Sequence, residues 1–336
     1  PPRSTLFPYT TLFRSFRNGY SRSVRPRYTP AMSTFLIALL PVFGWGIWLA
    51  VSQDVRSPNP RAKTLYAVLA NLAASALVFA ILGSAWDRPS FWPVFLGGLL
   101  WSVGGVAAFS AAELIGLARG AGIWVPVNLA VGLGWGILLC RELEGTAART
   151  KALTALAAAV LTGGVLLILS ARRGETAASG DKAGAESGGR DPGRAVKGML
   201  LAALAGLFFG TYFIPIRASG ASAWSAALPM SLGMAAGTLA LCLAYPAPPS
   251  MARTGHYFRS GLSGLLWAAG NYGMLLLTER IGTGRGFSVA QLNLIVSALA
   301  GIYVFRDPPP KTRAAWTALG GCVVAAAGGV LLGLEK

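Results

Sequence analysis

The sequence predicts an all-α, polytopic membrane protein, with ten transmembrane helices arranged as two inverted five-helix repeats. Three observations carry that prediction: few charges, apolar runs of bilayer length, and a residue pattern that recurs between the two halves. Of the 336 residues, 54% are hydrophobic and 12% charged, with a mean hydropathy of +0.56. A soluble domain carries about 25% charged residues, so this chain cannot cover a water-facing surface of its size. Runs of ~20 apolar residues cross a bilayer as helices. A helix satisfies its backbone N–H and C=O groups internally, as lipid requires.

The chain opens on a stretch of a different character. Residues 1–31 hold six arginines, Arg3, Arg14, Arg17, Arg22, Arg25 and Arg27, and no acid. Within them, Thr5–Ser15 reads TLFPYTTLFRS and resembles the conceptual translation of a sequencing-library adapter. Residues 1–31 are therefore expected to be non-native, with the protein starting at Met32. Leaving out those six arginines lowers the formal charge from +17 to +11, which weakens any case for a nucleic-acid partner.

The expected spans of the first repeat, residues 32–170, are 33–51, 63–83, 91–111, 119–139 and 151–170. Residues 171–197, rich in Gly, Ala, Ser and charges, cannot bury apolar surface and read as a flexible linker. The second repeat, 198–336, gives 198–216, 224–245, 259–278, 286–305 and 314–334. The first span has no small-residue cleavage site after it and is expected to stay as an anchor.

Duplication shows in residues that membrane composition does not explain. Gly98-Leu99-Leu100-Trp101 aligns with Gly264-Leu265-Leu266-Trp267, and at the same offset Gly104 meets Gly270, Glu113 meets Glu279 and Arg119 meets Arg285. A more diverged match sets Trp45-Gly46 against Phe209-Gly210. An odd number of spans per copy turns the second copy upside down in the membrane. Inverted repeats of this kind are common in secondary transporters, with the solute site near the midplane.

The stretch GLLWSVGGVAAFSAAELIGLARGAGIWVPVNLAVGLGWG resembles the drug/metabolite transporter superfamily, and within it the glucose/ribose porter and rhamnose transporter branch of bacterial sugar carriers. That branch shows a Trp-x-x-Gly-Asn-like turn followed by an Ile-Gly-x-x-x-Gly connection. The second half keeps both, as Trp267-Ala-Ala-Gly270-Asn271 and Ile281-Gly282-Thr-Gly-Arg-Gly286; the first half departs, with Gly105 in the place of Asn. The resemblance implies a sugar carrier in a bacterial inner membrane.

The residues point to the kind of solute. No Asp, Glu, Lys or Arg falls in the middle of an expected span. A buried charge is costly there and is kept for a task. A phosphorylated sugar would need such a cation, so a neutral solute is expected. The polar and aromatic residues inside the spans are Trp45, Trp48, Trp101, Asn128, Tyr212, Trp267, Asn271, Tyr272, Gln291 and Asn293. Indole faces lie against sugar C–H groups and amides bond hydroxyls, which suits a mainly apolar pocket with a few placed polar groups. Belt aromatics and interhelical amide bonds are the competing explanation. Glu113 with Arg119, and Glu279 with Arg285, bracket two short connections and are expected to act as gates or loop clamps. The reading is alternating-access transport of a neutral solute, foremost a sugar, with a polyol or ureide and a non-transporting membrane protein as alternatives. Enzyme activity is not expected, because the acids form no pair or cluster. Cys140, Cys242, Cys322 and His256 show no metal spacing, so neither a metal nor a cofactor is expected. The partners are the solute, the bilayer and a proton or sodium ion as candidate coupling ion. Lys and Arg near span ends gather on the linker's side, which places the linker in the cytoplasm and both termini outside.

Overall fold

The computed structural model describes residues 31–82, 88–138, 148–178, 192–281, 289–306 and 308–333. Residues 1–30, most of the proposed adapter segment, lie outside them. Every regular element among the described residues is helical. In chain order these are α1 (Ala31–Ile47), α2 (Ala62–Leu82), α3 (Arg88–Ile115), α4 (Leu117–Leu138), α5 (Ala148–Ala178), α6 (Pro192–Thr211), α7 (Phe213–Ser219), α8 (Ala223–Leu243), α9 (Thr254–Ile281), α10 (Asn293–Leu299) and α11 (Arg313–Gly333). A 3-10 turn, Ala50–Ser52, follows α1, and a π segment, Ala300–Val304, follows α10. Among the described residues, six stretches are long and apolar enough to cross a bilayer: Thr34–Ser52, Ala62–Leu82, Ser90–Ile115, Gly193–Ser219, Trp224–Leu243 and Arg313–Leu331.

Helices run past the expected span ends where the sequence allows it. The expected connection after the third span shrinks to Gly116, whose φ of +83° only glycine adopts without strain. Glu113 accordingly sits in the last turn of α3 rather than in a loop. Both ends of the expected linker are helical, because α5 continues to Ala178 and α6 starts at Pro192. Once a helix is nucleated by its apolar part, extending it by good helix formers is easy.

The core is built by close backbone approach. α3 packs on α8 and α6, while α9 packs on α2 and α1. α4 packs on α6, α10 packs on α1, and α5 lies along α11. Glycines set the spacing: a methyl on Gly44 would come 2.6 Å from the Leu266 carbonyl oxygen, and one on Gly210 2.7 Å from that of Asn128. Gly98 presses on the Met230 carbonyl and Gly264 on that of Ala67. Small residues permit this approach, and dispersion then holds helices that lipid would not drive together. Phe35, Phe43, Leu77, Ile81, Trp92, Leu200, Leu243 and Trp316 point outward, as lipid-facing residues can at no cost.

Candidate functional site

Three of the expected solute-binding tryptophans meet at the centre of the core. Trp101 of α3 and Trp267 of α9, which end the two matching Gly-Leu-Leu-Trp stretches, have ring centroids 4.8 Å apart at an interplanar angle of 62°. Trp48, just past α1, lies 5.9 Å from Trp101 and edge-on to Phe109 at 5.2 Å. Phe209 of α6 adds a fourth ring, 5.8 Å from Trp101. The indoles stand here because α3 and α9 are drawn inward at Gly98 and Gly264, three residues before each Trp.

Among the described residues are polar atoms whose bonding capacity is unspent. Trp45 Nε1, packed on this cluster, Asn271 Oδ1, one turn from Trp267, and Asn128 Oδ1 on α4 are buried and without a hydrogen-bond partner. Trp45 lies over Gly270, where a methyl would come 2.7 Å from Nε1. Asn271 points its amide nitrogen at the Met230 sulfur, 4.0 Å away, a weak acceptor. A buried polar group without a partner costs free energy, so such groups mark places where a ligand would repay it.

The remaining candidates are placed differently. Tyr272 packs on Trp224 at 5.7 Å. Tyr212 is buried where α6 gives way to α7 and lies 4.0 Å from the Phe213 ring. Asn293 donates to the Ala290 carbonyl at the start of α10, a local role. Gln291 is buried, and a methyl on Gly329 would meet it at 3.3 Å.

The end of the molecule carrying Gly116 is tied by polar contacts. Glu113 forms ion pairs with Lys63, itself 1% exposed, and with Arg56 at 3.9 Å. The Lys63 ammonium also lies over the Phe109 ring. Ser52 bonds Ser263 at 2.8 Å, and Gln53 donates to the Ala112 carbonyl at 2.7 Å. Arg259 donates to Asp54 and holds its carboxyl below the usual range. Arg119 stands half-buried in the first turn of α4. The Glu279 side chain and Arg285 lie outside the described residues, so the second expected gate does too.

Sequence reasoning passed over Lys63, Asn71, Ser75 and Ser231. Asn71 Nδ2 donates to Ser231 Oγ at 2.9 Å, and Ser231 donates to Ser75 Oγ at 2.8 Å. The signal for Asn71 was present: an amide in mid-span, the same that singled out Asn128.

The family described as "Sugar transport protein" matches residues 36–335. The chain is 27% identical to the glucose uptake protein GlcU of Bacillus subtilis, over 90% of this chain and 98% of that protein. It is 28% identical to a putative sugar uptake protein of Bacillus cereus, over 90% of this chain and 99% of that one. One solved crystal structure shares the fold, with a TM-score of 0.56 at 17% identity, covering 90% of this chain and 99% of the other.

Proposed function

We infer the mechanism from one premise: this chain belongs to the sugar transport protein family and is a multi-pass cell-membrane protein that carries sugar, not an enzyme. The substrate is a neutral sugar of the glucose class, bound at the Trp48–Trp101–Trp267 cluster with Trp45, Asn128 and Asn271 supplying hydrogen bonds. One observation carries this site. Trp45 Nε1 and Asn271 Oδ1, buried and unpartnered, lie in the core with indoles that meet edge to face, and a sugar ring offers apolar faces and hydroxyls together. The name of the Bacillus subtilis relative supports glucose as the first sugar to test.

Ten spans in two inverted repeats, 32–170 and 198–336 joined by 171–197, are the architecture we assign, in the glucose/ribose porter branch of the drug/metabolite transporter superfamily. The packing supports this. Exchanging α1–α5 with α6–α11 turns the contacts of α3 with α8 and α6 into those of α9 with α2 and α1. Gly104 meets Phe209 as Gly270 meets Trp45. The register that sets Met230 opposite Ala67 also puts Ala226 at the place of Lys63. Alternating access then rocks the halves about the indole cluster, with Glu113, Lys63 and Arg56 closing the face that holds Gly116.

Uptake of labelled glucose, other hexoses, polyols and ureides into proteoliposomes, with and without proton or sodium gradients, tests the reading. Saturable glucose uptake that other hexoses inhibit is expected. Transport confined to the polyols or ureides overturns the sugar assignment, and a rate unchanged by either gradient removes the coupling ion.

A further inference from the structure

Two asparagines approach one helix face in the same way. On α8, Met230 and Met234 stand one turn apart and fully buried. Asn271 of α9 points its amide at the Met230 sulfur, 4.0 Å away, and Asn71 of α2 points its amide at the Met234 sulfur, 3.6 Å away. Asn71 and Asn271 are 2% and 3% exposed, and Asn271 Oδ1 is buried without a hydrogen-bond partner. A thioether accepts hydrogen bonds weakly, so displacing it from an amide costs little, and an unoccupied amide oxygen costs more the drier its surroundings.

We propose that Asn71 is a second sugar-hydroxyl ligand, held by Ser231 and Ser75, and that with Asn271 it forms an off-axis polar wall on α2, α8 and α9. The inference rests on the central site argued above and extends it to a helix that site did not include. The wall has no mirror image in the other half. The positions equivalent to Asn71 and Asn271 are Met234 and Gly105. The Asn71 and Asn271 amides therefore have no counterparts across the Trp101–Trp267 pair, and a sugar stacked on those indoles has hydroxyls directed to this wall. The Ser75–Ser231–Asn71 chain fixes the Asn71 amide plane: Ser231 Oγ lies 2.8 Å from Ser75 Oγ and 2.7 Å from the Ala227 carbonyl, and its single proton serves one of the two at a time. One amide hydrogen stays on Ser231 while the hydrogen facing Met234 and the carbonyl oxygen turn to the sugar.

The experiment uses the full chain in proteoliposomes and competes labelled glucose with the set of monodeoxyglucoses. Wild type should bind weakly at least two deoxy positions, one for each asparagine. In Asn71→Leu, glucose affinity should fall about tenfold, and discrimination against one deoxy position should vanish while the other positions keep theirs. Asn271→Leu should erase discrimination at a different position. If Asn71→Leu fails to reach the membrane, Asn71→Thr keeps a hydroxyl for Ser231 without the amide and should show the same selective loss. An intact deoxy profile in the variant that inserts makes Asn71 an interhelical bond only and overturns the proposal. If Asn271→Leu and Trp267→Ala also leave affinity unchanged, the central site itself is wrong, which separates the two failures.

Discussion

Trp267 and Asn271 lie one turn apart on α9, so they share a face, yet they meet different neighbours. The indole touches Trp101 and the amide faces Met230. Asn271→Leu should lose ~1–3 kcal/mol of sugar binding, roughly a fivefold to 150-fold loss of affinity, with membrane yield near wild type. Trp267→Ala should weaken binding through lost stacking area, and Trp267→Phe should retain part of it. Unchanged affinity with poor yield would make both residues packing elements. Their sequence signal was legible because Trp and Asn are costly in lipid and stand together in a motif. Asn71 carries an equal signal but lies in Ala-Asn-Leu-Ala-Ala-Ser, where no motif draws attention to it. Its meaning depends on α8, which comes 160 residues later at Ser231.

At the scale of the helix pair, the glycine contacts and the ion pair make separate claims. Gly264→Ala puts a methyl against the Ala67 carbonyl, with backbone rather than a flexible side chain to move. Such overpacking costs ~1–3 kcal/mol, and the detergent-solubilised protein should melt at a lower temperature. Gly132→Ala, with open space around the added methyl, is the control and should melt with wild type. Lys63→Met should cost more, ~3–5 kcal/mol, because it leaves Glu113 without its buried partner. Lys63→Met combined with Glu113→Gln should recover much of that loss. Equal melting of the single and double variants would show that the pair is not coupled. The repeat made Glu113 visible in the sequence. Its partner was not, because Lys63 lies on another helix and the local Arg119 offered a nearer candidate.

For the whole molecule, the linker side is predicted to face the cytoplasm. A cysteine at Ser187 should resist an impermeant thiol reagent added to intact cells and react once they are lysed; labelling from outside would invert the orientation. The helical class followed from composition, and the helix positions followed from the apolar runs. Where helices stop did not, because α3 ends on the backbone geometry of Gly116 rather than on polarity. Lys63 pairs with Glu113 on the Gly116 face, and the proposed repeat sets Ala226 at the place of Lys63 in the other half. Without any gradient, detailed balance makes the ratio of maximal rate to half-saturation the same from both faces. On the gating proposed above, the ion pair lowers the share of time the empty carrier is open to that face, so half-saturation and maximal rate, measured as influx and efflux in proteoliposomes, should both differ between faces by a common factor.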